Sequence, residues 1–402
     1  MKKLLIYLVL MIVVSLWGGT SIFSYDGYPI QYYGKDVYSM GMGETGSSDV
    51  FRYNSGYANP AQSNESNKAL FGTGLLFGYT NYKSRYNNIE RSYRDDSLDL
   101  PYFSISIPIK KHRFGFQLNS FANGVVKNQI QIDSLTIERQ EVDRYLYRAD
   151  LIYSYRIKDL SLGVSGNYYL GHHNQLFEQT SSTNTVPTSE SRKKNYKNPS
   201  MTAGFIQRFQ KHAIGAYATL PVKLTGEEKW TSFVGSGDES KSEYELPLTI
   251  GSGYTGYVFP ELKVSTDLVY ETYSETDPAL RDSWKAGVGI AYEPDVSRKR
   301  HWYQKLPIRV GYSLRALPFT TENGEYVDET ALSAGISFPL KGETNRLDLG
   351  MQYLTRGDLD SNNLQDSSIM FMIGFTGFDI FSKAPDRTAP REIPKAEELQ
   401  QW

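Results

Sequence analysis

The sequence predicts an all-β protein, a transmembrane antiparallel β-barrel of about 14 strands. Three observations carry this. Segments with period-two hydrophobicity recur from Ala69 to Phe381. The connections between them alternate between short and long. No apolar run after the N-terminus is long enough to cross a bilayer as a helix, so any crossing uses strands.

Composition agrees: 31 Tyr and 19 Phe beside 34 Gly is an inventory of strands and turns. A mean hydropathy of -0.46 does not oppose a barrel, which places apolar side chains only at alternate positions. The net charge of -2, from 43 basic and 45 acidic residues, leaves no electrostatic footprint for nucleic acid. With 0 Cys the chain has no disulfides, thiolate catalysis, thiolate metal sites or N-terminal lipid-modified cysteine.

The order along the chain starts with Lys2 and Lys3, the apolar run Leu4 to Trp17, and the small residues Gly18, Gly19, Thr20 and Ser21. This reads as a signal peptide, residues 1–24, cut between Gly19 and Ser24; the run falls short of the roughly 20 residues of a spanning helix. Fourteen strands are expected near 69–81, 99–109, 112–127, 142–157, 159–174, 195–209, 212–221, 243–258, 261–274, 282–293, 305–317, 328–339, 344–355 and 366–381. Tight connections fall at Lys110-Lys111, Lys158, Gln210-Lys211, Phe259-Pro260, 294–304 and 340–343. Long polar ones fall near 82–98, 128–141, 175–194, 222–242, 275–281, 318–327 and 356–365. Strict alternation of the two kinds is the mark of periplasmic turns and extracellular loops.

Within strands, Phe103, Ile105, Ile107 and Ile109 alternate with Tyr102, Ser104 and Ser106, and Ile308, Val310, Tyr312 and Leu314 alternate with Arg309, Gly311, Ser313 and Arg315. The apolar series is read as facing lipid. The polar series, small residues beside charges, is read as facing a solvated lumen. Arg148, Asp150 and Arg156 share one inward face, and Arg309 and Arg315 share another; these are candidates for lining a passage. Tyr79, Tyr82, Tyr145, Tyr153, Tyr155, Tyr270, Tyr273, Trp284, Tyr292 and Tyr353 are assigned to aromatic girdles. Ser382 to Trp402, with Pro385, Pro390 and Pro394, cannot join the sheet and is expected to be a periplasmic tail, 382–402, with a docking role for a protein partner as its one functional reading.

Before the first strand, Gly41-x-Gly43-x-x-Gly46 spells a dinucleotide fingerprint, but no apolar strand precedes it and no helix follows. With Asn59-Pro60-Ala61 and then an apolar strand, these glycines instead resemble the start of the FadL-type outer-membrane transporter family, PorV-type members included. Gln62 and Ser63 depart from the Gly and Leu common there. The resemblance implies a 14-stranded barrel of residues 69–381 in the outer membrane of a Gram-negative-type bacterium. It also implies that residues 25–68 fold into the lumen as a hatch, and that the ligand is a hydrophobic small molecule such as a long-chain fatty acid. Met40, Met42, Phe51 and Tyr57 are candidates for hatch-side ligand contacts. The family's kink in the third strand, which opens a lateral hole, maps to Asn123-Gly124, read as a bulge and not a hairpin tip.

His112, His172, His173, His212 and His301 do not converge on a catalytic partner, and His172 and His173, as neighbours on a strand, point to opposite faces. No enzyme activity, metal or cofactor is expected. The favoured function is uptake of hydrophobic small molecules through a plugged barrel in outer-membrane lipid. The alternatives are a PorV-like interaction or shuttle protein using residues 384–402, and a general diffusion porin.

Overall fold

The computed structural model describes residues 21–24, 30–31, 36–53, 58–62, 68–86, 88–181, 188–237, 239–295, 300–321, 323–340 and 345–377. Most of the expected signal peptide, Tyr57 and the expected tail lie outside the described residues. The rest forms a closed antiparallel barrel of fourteen strands. They are β1 (Leu70–Tyr86), β2 (Ile89–Asp99 and Tyr102–Ile109), β3 (His112–Gln131), β4 (Thr136–Ile157), β5 (Leu160–Ser181), β6 (Thr188–Phe209) and β7 (His212–Thr219 and Val222–Ser232). Then follow β8 (Gly235–Ser236, Ser240–Leu246 and Thr249–Phe259), β9 (Leu262–Glu271), β10 (Ser283–Tyr292), β11 (Ile308–Thr320), β12 (Tyr326–Pro339), β13 (Arg346–Arg356) and β14 (Leu364–Gly377). The seam closes where β14 pairs with β1, from Leu364 opposite Ser84 to Gly377 opposite Phe71.

Three strand interruptions coincide with prolines, which lack the N–H that a ladder needs. Pro101 separates the two pieces of β2, Pro221 those of β7, and Pro247 the last two of β8. At the tight end, Lys110, Lys158 and Gln210 open two-residue turns with left-handed backbone.

The outward series is apolar all round: Leu75, Phe77, Ile107, Phe116, Leu162, Val164, Phe205, Ile214, Leu268, Val288, Val310, Leu332, Met351 and Ile373 are exposed. A soluble barrel would bury such a series inside; here it is a lipid-facing band, and the inward series is polar and buried. Tyr79, Tyr153, Tyr270, Trp284, Tyr292 and Tyr353 lie on the outer surface. Tyr82, Tyr145 and Tyr273 do not: they are buried, so the girdle assignment is corrected for these three.

Most of the residues read as long loops are also strand. The described residues within 82–98, 128–141, 175–194 and 222–242 continue the hairpins of β1 to β8, with ladders such as Ile137↔Thr180 and Tyr82↔Tyr93. Strands of 22 residues span about 70 Å, more than twice the hydrocarbon thickness. Their ends therefore project past the membrane, where both faces are wetted and no apolar alternation marks them.

Candidate functional site

The inner wall of the barrel is occupied by residues 36–53 and 58–62. Asp36 caps the short helix α1 (Val37–Gly41), its carboxylate accepting from the Ser39 N–H at 2.7 Å. Arg52 turns back to clamp that carboxylate with two guanidinium nitrogens at 2.7 and 3.2 Å, and its Nε reaches Asp49 at 3.1 Å. Burial pushes the Asp36 carboxyl up and Arg52 beside it pulls it down further, to about 2.

The wall completes this cluster. Lys263 on β9, fully buried, places Nζ 2.9 Å from Asp49 and 2.8 Å from Glu293. Glu293 accepts from the hydroxyls of Tyr38 and Tyr257. Arg309 on β11 lies over the Tyr38 ring at 4.4 Å, donates to the Val37 carbonyl at 3.4 Å and to Ser337 at 2.7 Å, and faces Asp348 at 3.7 Å. Further along, Lys285 pairs with Glu44 at 2.6 Å, and Asp267 accepts from the Gly46 and Ser47 N–H groups at 3.1 and 2.9 Å. Burial raises the Glu44 carboxyl, but Lys285 outweighs it and Arg315 on the inner face of β11 adds to the lowering.

The glycines explain how the chain lies so close. At Gly43 φ is +69°, and a Cβ would meet the backbone carbonyls of Tyr312 and Val288 at 2.6 and 2.7 Å. Opposite it, a Cβ at Gly289 or Gly311 would run into the backbone of Met42 and Gly43. The small residues of the inner face were read from sequence as lining solvated space; here they make room for this backbone. Gly46 also has positive φ, and a Cβ at Gly41 would press on the Arg309 side chain. Asn59 donates from Nδ2 to the carbonyls of Phe205 and Ala216 at 3.1 and 3.2 Å, bridging β6 and β7, while its Oδ1 accepts from the Ala61 N–H. Pro60 and Ala61 sit over Gly163.

Met40 and Met42 are closed into packing, Met40 with Val37, Leu76, Tyr102, Leu354 and Met372, and Met42 with Tyr38 and Ala291. Phe51 is half-buried, edge-on to Tyr257 and under Arg208. Arg148 and Asp150 pair within β4 at 2.8 Å, and Asp150 also accepts from Gln117 and Asn119. Arg156 is apart from them, at the tight-turn end, donating to the Lys158 carbonyl. His173 is half-buried, its Nε2 accepting from Arg144 at 2.8 Å.

Asn123 and Gly124 continue the β3–β4 ladder opposite Tyr145 and Arg144, so this pair is not a hairpin tip; the register shift lies just before it, between Ser120 and Ala122. At the same height β2 departs. Its second piece pairs with β3 only as far as Tyr102↔Asn119, and its first piece, 89–99, pairs with β1. The edge of β3 beyond that point is met by the two residues Ile30–Gln31, which pair antiparallel with Asn123 and Ala122. Across the break, Asn123 Nδ2 donates to Asp99 at 3.4 Å. Behind it is an apolar cluster of Phe121, Ala122, Leu146, Tyr169, Leu224 and Leu246, with Arg148 over the Phe121 ring at 5.3 Å.

Comparison with solved structures fits this geometry. A FadL homologue from Pseudomonas aeruginosa superposes with TM-score 0.61 at 11% identity, over 88% of this chain and 100% of its own. The toluene transporter TodX of Pseudomonas putida gives 0.60 at 15%, over 87% and 98%, and the toluene transporter TbuX of Ralstonia pickettii 0.59 at 14%, over 88% and 99%. The chain has the FadL-type barrel fold. A family model described as BamG matches residues 241–381, which run from β8 through β14. No curated protein matches the chain by sequence. A FadL-type barrel with this apolar outer band is an outer-membrane protein. Sequence reasoning placed Arg309 and Arg315 inward, but not Asp36, Asp49, Arg52, Lys263, Glu293 or Asp348; Asp36 three residues before Ser39 was the one local signal, that of a helix cap.

Proposed function

We propose that this protein takes up hydrophobic small molecules across the outer membrane, that residues 25–68 act as its hatch, and that the ligand leaves sideways between β2 and β3. The observation that carries the reading is the break in the ladder at Asp99 and Asn123, backed by the Phe121 cluster, where the strand pairing among the described residues comes from Ile30–Gln31, beside the Asn123–Asp99 and Ser120–Pro101 hydrogen bonds. Two residues of pairing are a weak closure beside the eight pairs that hold the other piece of β2 to β3. Displacing them joins an apolar cluster to the bilayer without unmaking the buried ion pairs that hold residues 36–53. The toluene transporters TodX and TbuX support a hydrocarbon-sized ligand by likeness of fold. A general porin fits less well, because residues 36–53 and 58–62 fill wall-to-wall contacts that an open channel lacks.

The chain has 0 Cys, so a disulfide staple can be introduced cleanly. Asp99→Cys with Asn123→Cys, expressed in cells dependent on outer-membrane uptake of toluene or oleate, is expected to block uptake when oxidised and restore it on reduction. Uptake unchanged by oxidation of a fully formed staple would sink the lateral route. Uptake absent in wild type for every hydrophobic probe would sink the transport reading and turn attention to protein partners of residues 384–402.

A further inference from the structure

Residues Ile22–Ser24 form a single 3-10 turn at the loop-side end of the barrel. Phe23 is buried there among Leu317, Phe319 and Val327, with Ile22 and Leu364 packed at the edge. Gly357, at φ +66°, has no Cβ where the Phe23 ring lies. Beside this turn Asp366, at the start of β14, is 0% exposed. Its carboxylate accepts from the Ile22 nitrogen at 3.3 Å and from the Ser21 hydroxyl. Arg356, opposite Asp366 in the β13–β14 ladder, is bound to Glu329 and also attracts the Asp366 carboxylate. One guanidinium thus stands against two buried carboxylates, Glu329 and Asp366, and a unit positive charge at the Ile22 nitrogen would balance them.

The sequence around this point holds small residues at Gly19 and Ser21, the spacing a leader peptidase reads at the third and first positions before the bond it cuts. The alternative pair one residue earlier puts Thr20 next to the bond, and later ones put Ile22 or Phe23 in the pattern. We infer that the mature chain begins at Ile22, and that its new α-ammonium forms a buried ion pair with Asp366 that seats the N-terminus inside the extracellular end of the barrel. Water, with a leader peptidase as catalyst, hydrolyses the Ser21–Ile22 peptide bond; Ser21 leaves as a carboxylate with the leader, and Ile22 keeps the amine and takes up a proton. Ser21 is 2% exposed, so the bond is out of reach of a protease in the folded barrel. Cleavage precedes folding, and the ammonium is carried into place as the barrel forms. The Ile22 N–H hydrogen bond to Asp366 is exchanged for a charge-assisted one from the ammonium, and the hydroxyl contact is lost with the leader.

The test uses the full chain expressed with its own leader and purified from outer membranes. N-terminal sequencing and intact mass are expected to show a chain starting at Ile22 with a free amine; any other N-terminus overturns the assignment. An amine-reactive ester at pH 7, with the Ile22 peptide followed by mass spectrometry, then reports the ion pair, because an α-amino group titrates near 8 and reacts ahead of the more fully protonated lysines. Labelling of Ile22 is expected to be at least about tenfold slower in the folded barrel than in the SDS-unfolded protein, and to recover in Asp366→Asn. Equal rates in folded and unfolded wild type overturn the pairing even if the variant does not fold.

Discussion

Lys263 and Asp49 are 214 residues apart in sequence, and their side chains meet at 2.9 Å inside the barrel with neither exposed to solvent. This pair joins the N-terminal segment to the wall, and the remaining buried charges are arranged around it. Replacing Lys263 by Met leaves Asp49 and Glu293 short of a cation. Removing one partner of a buried pair costs about 3–5 kcal/mol. The variant is expected to unfold at a clearly lower temperature in heat-modifiability gels, and Asp49→Asn in the same background to recover part of the loss. A midpoint equal to wild type would show that the pair holds nothing.

Gly43 gives a second handle. A methyl group there meets two wall carbonyls at a left-handed φ, so Gly43→Ala combines strain with overlap that backbone cannot relieve, about 1–3 kcal/mol. The expected result is displacement of residues 36–53 and a rise in single-channel conductance in planar bilayers. A variant as quiet as wild type would mean that this segment does not obstruct the lumen.

Acid should weaken the same contact in a defined window. The Asp36 carboxyl ordinarily titrates at 3.8 and is held at about 2 in the folded chain. Its contribution is therefore complete above the unfolded value and is lost as pH falls through the folded one, about 2 kcal/mol in all. Stability measured from pH 5 down to 1.5 is expected to fall in that window, and Asp36→Asn to start lower at pH 5 and fall less. Parallel curves for the two proteins would remove Asp36 as the titrating group.

Asn59 tests the other end of the segment. Asn59→Ala removes the donor from the Phe205 and Ala216 carbonyls and the acceptor from the Ala61 N–H, which costs about 1–3 kcal/mol where the groups stay dry. Hydrogen exchange is expected to speed up at Ala61 and Gln62 while β11 and β12 keep their protection. Uniform loss of protection would instead mean that Asn59 supports the whole barrel.

The barrel was legible because lipid on one side and polar groups on the other impose period two on each membrane-spanning stretch. Leu162 and Val164 against Ser161 and Ser165 could be read directly, and such stretches fixed the strand number. Where β4 to β8 leave the bilayer that contrast ends, and Thr136 to Glu141 looked like loop although it is paired strand. Tyr82, Tyr145 and Tyr273 were misassigned because propensity marks a tyrosine as strand without saying which face it takes. At the site, Gly43 and Asn59 were visible because they belong to the stretch that resembles the start of the FadL-type family. Lys263 was not: an inward lysine looks like any lumen charge until its partner, two hundred residues away, is placed beside it.

The seam between β14 and β1 has one more consequence. β14 is the last strand of the barrel, and residues 36–53 already lie within the ring that it completes. If strands are added in chain order, the N-terminal portion is gathered against an open sheet until Leu364–Gly377 pairs with Leu70–Tyr86 and encloses it. Anything that assembles this protein handles a sheet wrapped around its own beginning.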